Sequence, residues 1–138
     1  MKKLTKKSTI IIGIIIVAAI IAALVFMPGA EFRKVKKKAI QISGRATSGK
    51  NYFTIDTYPE EYKNMDAATV AILRAGTEEN ALEAIKYANE ALGFSGSLYQ
   101  DMISTSAIMG HQSEENKKYK VTWRYHPDDG LEVTYEKK

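Results

Sequence analysis

Residues 119–136 read YKVTWRYHPDDGLEVTYE, and this stretch decides the fold. Apolar and polar residues alternate on both sides of the sequence HPDDG at 126–130. Proline restricts φ, aspartate makes local hydrogen bonds and glycine tolerates positive φ, so HPDDG predicts a turn. The register set by this turn places six apolar residues on one face of a hairpin, in three cross-strand pairs. The pairs are Tyr125 with Leu131, Trp123 with Val133, and Val121 with Tyr135.

The polar face of the same hairpin carries opposite charges across the two strands. In this register Arg124 lies opposite Glu132, and Lys120 lies opposite Glu136. Because two strands alone are marginally stable, the apolar face must pack on helices. We therefore expect an α+β fold, in which about three helices pack on a small antiparallel sheet that ends in this C-terminal hairpin.

Residues 51–118 predict the rest of that two-layer domain. The β-branched and aromatic residues of 52–58 indicate a strand, and the polar residues 111–118 indicate a loop. Gly76 and Gly93 are expected to end two of the helices. The predicted helices are 62–75, 78–92 and 97–109, and the first is expected to bury Met65, Ala68, Ile72 and Leu73.

Residues 10–27 read IIIGIIIVAAIIAALVFM and contain no charged residue. A helix of this length spans about 27 Å, close to the hydrocarbon thickness of a bilayer. Pro28 would break the helix at the interface. We therefore expect an uncleaved, single-pass transmembrane helix and a location in the cell membrane, with the lipid bilayer as a partner.

A cleaved signal peptide is the competing interpretation, because the basic start and the apolar run both fit one. The run is longer than is usual for a signal peptide, and Val25, Phe26 and Met27 stand where cleavage needs small residues. A buried core helix is a third interpretation, although little else in a chain of 138 residues could cover so much apolar surface.

Basic residues flank the apolar run on both sides and predict contacts with anionic lipid head groups. A short tail with four lysines is difficult to translocate, which favours an extracytoplasmic position for residues 30–138. The absence of cysteine fits an extracytoplasmic domain in a bacterium that does not rely on disulfides, and it fits a cytosolic domain too. The predicted membrane-interface residues are Lys2, Lys3, Lys6, Lys7, Arg33, Lys34, Lys36, Lys37 and Lys38.

The predicted organisation has four parts. A basic tail (1–9) precedes the transmembrane helix (10–27), and a basic amphipathic stalk and linker (28–50) leads to the α+β domain (51–138). A basic amphipathic segment of this kind can also lie on a membrane surface. Its apolar face is formed by Phe32, Val35, Ala39 and Ile42.

Charge and composition exclude several functions. Residues 39–138 hold eleven basic and fifteen acidic residues, so the folded part has no basic excess for binding nucleic acid. The absence of cysteine excludes a cysteine nucleophile and a cysteine zinc site. His126, Asp128 and Asp129 share the hairpin tip, but backbone requirements of the turn account for that sequence. We expect no metal, no cofactor and no catalytic residue.

A non-enzymatic binding or accessory domain with a protein partner in the membrane or envelope is the expected function. The candidate partner surface combines Tyr99, Arg124, His126 and Asp128. A membrane-tethered hydrolase that uses His111 or His126 is one alternative.

A self-assembling structural subunit is a further alternative. The apolar helix before a sheet-bearing head resembles that of type IV pilins, whose basic leader ends in glycine, followed by phenylalanine and a glutamate four residues further on. In this chain Ile14 follows Gly13, and Val17 stands at the position of the glutamate. The resemblance covers the apolar helix alone and implies oligomers formed through that helix.

Overall fold

The computed structural model describes residues 6–25 and 29–138, with side chains for residues 6–22 and 29–138. The chain divides into two compact units, Met1–Glu31 and Phe32–Lys138. In the first unit, α1 spans Lys6–Val25.

The prediction of a transmembrane helix is overturned by the structure. In the part of the chain that the structure describes, no helix combines the length and the apolar character needed to cross a membrane. The prediction also used residues 26–28, which lie outside the described residues. The predicted single-pass location in the cell membrane, which depended on this helix, is overturned by the same finding.

The remaining elements make an α+β arrangement, so the α+β part of the predicted fold class is confirmed. Two short 3-10 helices, Glu60–Asn64 and Ala107–Met109, precede α3 and β3 respectively. The helices are α2 (Ala30–Ser43), α3 (Ala67–Ala91) and α4 (Leu98–Ile103). The strands are β1 (Thr47–Ser48), β2 (Tyr52–Asp56), β3 (Gln112–Glu115), β4 (Tyr119–His126) and β5 (Gly130–Lys137).

The five strands form one antiparallel sheet in the order β1-β2-β5-β4-β3. The predicted hairpin register is confirmed, because all three apolar pairs and both charged pairs occur between β4 and β5. β5 lies at the centre of the sheet, paired with β2 on one side and β4 on the other. The C-terminal strand therefore organises the sheet.

The core lies between one face of the sheet and the helices. Phe32 stacks on Tyr119, and Phe53 stacks on Tyr135, with ring centroids 5.6 and 4.9 Å apart. The buried Tyr135 hydroxyl lies 3.1 Å from the carbonyl oxygen of Ile85 and 2.7 Å from Oδ1 of Asn89, both on α3. This hydroxyl joins the central strand to the longest helix.

α2 contributes Phe32, Val35 and Ala39 to this core. The second compact unit thus begins at Phe32 and includes residues for which the sequence predicted a stalk. The cations of α2 lie around the opposite face, and Nζ of Lys36 donates to the carbonyl oxygen of Gly49 at 2.7 Å. Among the predicted interface residues, Lys6 and Lys7 begin α1, whereas Lys2 and Lys3 lie outside the described residues.

α3 differs from the two helices predicted on either side of Gly76. It begins after Asp66, whose carboxylate accepts the Thr69 amide, and continues through Gly76. A glycine costs about 1 kcal/mol in a helix interior but does not end it unless the backbone turns. The prediction that the first helix buries Met65, Ala68, Ile72 and Leu73 is wrong, because all four are exposed.

Residues 97–118 also differ from the prediction. α4 ends at Ile103 because the following Thr105 hydroxyl accepts from the Trp123 indole at 2.8 Å and donates to the Asp101 carbonyl. The predicted loop over 111–118 contains β3, which pairs with β4. In both places, contacts with the hairpin override the local sequence preference.

Replacing Tyr135 with phenylalanine tests the bond between the sheet and α3. Tyr135→Phe should lower the free energy of unfolding by about 1–3 kcal/mol, because Oδ1 of buried Asn89 loses its partner. Urea unfolding followed by Trp123 fluorescence measures the change. Tyr125→Phe is the control, because Tyr125 lies on the same hairpin but is exposed. An equal effect of both substitutions would show that the Tyr135 hydroxyl does not stabilise the contact between the sheet and α3.

A pair of glycine substitutions tests the continuity of α3. A β-carbon at Gly76 would meet no atom within 4 Å, whereas Gly93 has φ of +74°. Gly76→Ala should raise the free energy of unfolding by about 0.5–1 kcal/mol, and Gly93→Ala should lower it because of the positive φ. Chemical denaturation compares both variants with the parent. A destabilised Gly76→Ala variant would argue for a helix break at this residue.

Candidate functional site

A groove of about 590 Å³ runs between the segment after β2 and the first half of α3. We call it the aromatic groove, because two tyrosines form one of its walls. The residues of this groove that the site depends on are Tyr58, Tyr62, Met65, Val70, Arg74 and Glu78.

The segment after β2 is held against the hairpin and α3 by specific bonds. The buried Thr57 hydroxyl accepts from the Leu131 amide at 2.8 Å, and the Thr57 amide donates to the Leu131 carbonyl. The hydroxyl of buried Tyr62 lies 2.8 Å from that of Thr77 on α3. Lys63 Nζ lies 2.8 Å from Oδ1 of Asp129 at the hairpin tip. The segment after β2, which forms this wall of the groove, is therefore attached both to the hairpin and to α3.

Each of the two tyrosine rings in the aromatic wall has an arginine guanidinium group over it. Tyr58 and Tyr62 meet edge to face, with centroids 5.5 Å apart. The Arg74 guanidinium lies 5.4 Å from the Tyr58 ring centre, and that of Arg45 lies 5.9 Å from the Tyr62 ring centre. Such cation–π contacts hold long cationic side chains in place at a surface. Glu78 further orients Arg74 through an Nε–Oε2 contact of 3.1 Å.

The opposite wall, the first half of α3, has no cover from the chain's second unit. Met65, which lines the groove, is 41% exposed, and Ile72 and Leu73, which lie on α3 outside the groove lining, are 78% and 39% exposed. In the second half of the same helix, Ala84, Ile85 and Ala88 are completely buried. Several exposed apolar side chains in one part of a surface often mark an interaction site.

A carboxyl group with an unusual environment lies beside this wall. Asp56 ends β2, and its Oδ1 accepts the Tyr58 amide at 2.8 Å. Desolvation by burial raises the pKa of Asp56 to about 6, against the lowering effect of the Tyr58 hydrogen bond, and the charges of Glu132 and Asp129 add to the rise. The pKa of Asp129 itself is lowered, first by its hydrogen bond to Lys63.

The outer face of the sheet has a different character. One row of hydroxyl side chains crosses all five strands. In the centre of this row the hydroxyls of Thr54 and Thr134 lie 2.8 Å apart. The centre of this face is therefore lined by small polar side chains. The row consists of Thr47, Thr54, Thr134, Thr122 and Ser113.

The structure separates the candidate partner residues that the sequence suggested. Arg124 pairs with Glu132 on the outer face, and His126 and Asp128 lie at the hairpin tip, where the Asp128 amide donates to Nδ1 of His126. Tyr99 lies on α4, beside the second half of α3. His111 borders a small cleft on the outer face with Arg124. The aromatic groove contains none of these five residues.

The groove residues escaped sequence reasoning for a physical reason. Tyr58 and Tyr62 belong to a visible aromatic cluster, but in a small domain such clusters usually form the core. Val70 lies in a run, TVAIL, whose apolar residues fit a buried helix face equally well. The one available signal was the excess of apolar side chains around the whole first half of the helix.

Comparisons with known proteins do not assign a family. No known protein family, curated protein or solved structure matches the chain. Within residues 6–25 and 29–138, no three histidine, aspartate or glutamate side chains are grouped to bind a metal ion.

The raised pKa of Asp56 predicts a pH-dependent stability. Because the folded-state pKa of about 6 exceeds the ordinary aspartate pKa of 3.8, the contribution of Asp56 to stability is greatest below about pH 4 and is lost as the pH rises through 6. Asp56→Asn retains the acceptor oxygen for Tyr58 and removes the charge. It should stabilise the chain at pH 7.5 by about 1 kcal/mol, allowing for solvent screening of a half-exposed group.

Urea unfolding at several values between pH 4.5 and 8 measures this difference. The gain from Asp56→Asn should shrink steadily below pH 6. Asp101→Asn on α4 is the control, because it also removes one carboxylate but lies on a different element from Asp56. Parallel pH profiles for the parent and Asp56→Asn would show that Asp56 has an ordinary pKa.

Proposed function

We propose that residues 32–138 form a non-enzymatic protein-binding module whose binding surface is the aromatic groove. The observation that carries this proposal is the groove itself, in which Tyr58 and Tyr62 face Val70 and Ala71 of α3, and the exposed Met65 is also part of its lining. Nothing else in the second unit covers those apolar side chains, although the rest of the same helix is packed in the core.

The chemistry of the groove suits a peptide partner. Tyrosine and arginine are the side chains that most often dominate the energy of protein interfaces. Val70 and Met65 offer apolar contacts, whereas Lys63 and Glu78 place opposite charges on the rims. A groove with an apolar floor between a helix and an aromatic wall accommodates the apolar face of an amphipathic helix. The partner class we propose is therefore a protein segment that presents such a helix.

The side chains around the groove are preorganised in the free protein. Tyr62 is fixed by Thr77, Arg74 by Glu78, and the start of α3 by the Asp66 carboxylate. Side chains that are already ordered lose little conformational entropy on association. Both walls can therefore keep this geometry when a partner binds.

Selection of peptides from a displayed library tests this function. Peptides of about 15 residues selected on the full chain should carry an amphipathic helical pattern, and calorimetry should give their affinity. Val70→Glu places a charge in the groove and should weaken binding at least about tenfold, since burial of an unpaired charge costs more than 1.4 kcal/mol. Tyr58→Ala should weaken binding by a similar factor.

A matched control separates the groove from general charge effects. Gln100→Glu also adds one negative charge, at an exposed position of α4 that does not line the groove. It should leave the peptide affinity unchanged. Circular dichroism establishes that each variant is folded. Peptides whose affinity is insensitive to both groove variants, or a selection without any binder, would refute the proposal.

A further inference from the structure

We propose that Asp56 is a proton-operated clamp on the aromatic groove, a regulatory device that rests on the function proposed above. With its carboxylate ionised, Asp56 holds the backbone of Tyr58. When it takes up a proton from solvent, it turns to hydrogen-bond with Glu132 and releases the turn that carries Tyr58.

The first part of the clamp is a pair of like charges across two strands. Asp56 of β2 lies directly opposite Glu132 of β5. Directly opposed residues in an antiparallel pair have β-carbons about 4.5–5.5 Å apart, and like charges there repel. The negative charge of Glu132 therefore disfavours the ionised form of Asp56.

The second part is the contact between Asp56 and the groove wall. The Tyr58 amide donates to Oδ1 of Asp56, which turns the chain sharply after β2. The Tyr58 ring then lies between the Tyr62 ring and the Arg74 guanidinium. An N–H bond to a carboxylate is roughly twice as strong as one to a neutral acceptor. Protonation of Asp56 therefore weakens the bond that positions this ring.

The cations near Asp56 have other partners. Arg124 pairs with Glu132, Lys63 pairs with Asp129, and Arg45 pairs with Glu61. Within the described residues, no cation forms an ion pair with Asp56 itself. The charged groups around Asp56 are Glu132 on β5, Arg124 on β4, Asp129 in the hairpin turn with His126 and Lys63 beside it, and Arg45, Glu60 and Glu61 across the neighbouring cleft.

The surroundings of Asp56 determine the pH at which the clamp opens. Burial, together with the opposed Glu132, raises the pKa of Asp56 to about 6. The clamp is therefore closed at pH 7.5 and open near pH 5. Peptide binding in the groove is expected to be tighter at the higher pH.

Nuclear magnetic resonance of the ¹⁵N-labelled full chain tests the clamp without a partner. Between pH 4.5 and 8, the Tyr58 amide and the side-chain Nε–H of Arg74 should shift with one common midpoint near 6. The protection of the Tyr58 amide against hydrogen exchange should fall about fivefold from pH 7.5 to pH 5.

Two variants and a control identify the titrating group. Asp56→Asn should remove the common transition, because it leaves a neutral acceptor for the Tyr58 amide at every pH. Glu132→Gln removes the opposed charge and should move the midpoint to lower pH. Asp101→Asn should change neither.

The outcomes are distinct. A common midpoint that Asp56→Asn abolishes and Glu132→Gln lowers supports the clamp, whether or not a peptide binder is found. A Tyr58 amide that does not titrate, a transition that survives Asp56→Asn, or an Arg74 signal that stays constant while Asp56 titrates would overturn it. Failure of the proposed binding function would instead be seen in the peptide selection, which does not depend on this titration.

Discussion

The hydrogen-bonded contact of Tyr135 with α3 is the interaction on which the rest of the structure depends. Tyr135 lies on the central strand, so its register fixes the positions of β2 and β4 on either side. Its hydroxyl contacts Ile85 and Asn89 and so sets the position of α3 along the sheet. Because the contact is made by the second half of α3, the first half extends beyond the core. The groove arises from that overhang together with the segment after β2.

The hairpin was predictable because its information is local. A period of two, a turn with proline and glycine, and opposite charges at Arg124 and Glu132 all favour one register, and a slip of one residue would reverse its faces. The α3 boundaries were not predictable in this way, because Gly76 weakens a helix locally while packing of the second half preserves it. β3 was missed because QSEE at 112–115 lacks apolar alternation and pairs only at a sheet edge. For α1, apolar composition alone predicted a membrane span that the described helix does not support.

The groove could not be derived from periodicity for a related reason. Its two walls come from residues 58–65 and 67–78, and their placement depends on the Tyr62–Thr77 contact and on the contact of Lys63 with Asp129 of the hairpin. An apolar residue such as Ile72 has the same letter whether it is buried or exposed. The environment of Asp56 depends on a partner 76 positions away in the chain, Glu132, which only the sheet register brings opposite. Sequence patterns report which faces are apolar, and the fold decides which of those faces remain uncovered.

The close approach of Thr57 to Gly130 has a consequence for how this protein can be modified. A β-carbon at position 130 would lie 2.5 Å from the Thr57 hydroxyl oxygen, and the backbone there already has φ of +71°. Hairpin tips are usually the preferred places to insert a tag, a label or a foreign loop. Here the tip is joined to the groove wall through Thr57 and through the Lys63–Asp129 pair, so an insertion would disturb both. The turn around Ile108, which is 96% exposed, is the better place for an affinity tag or a fluorophore.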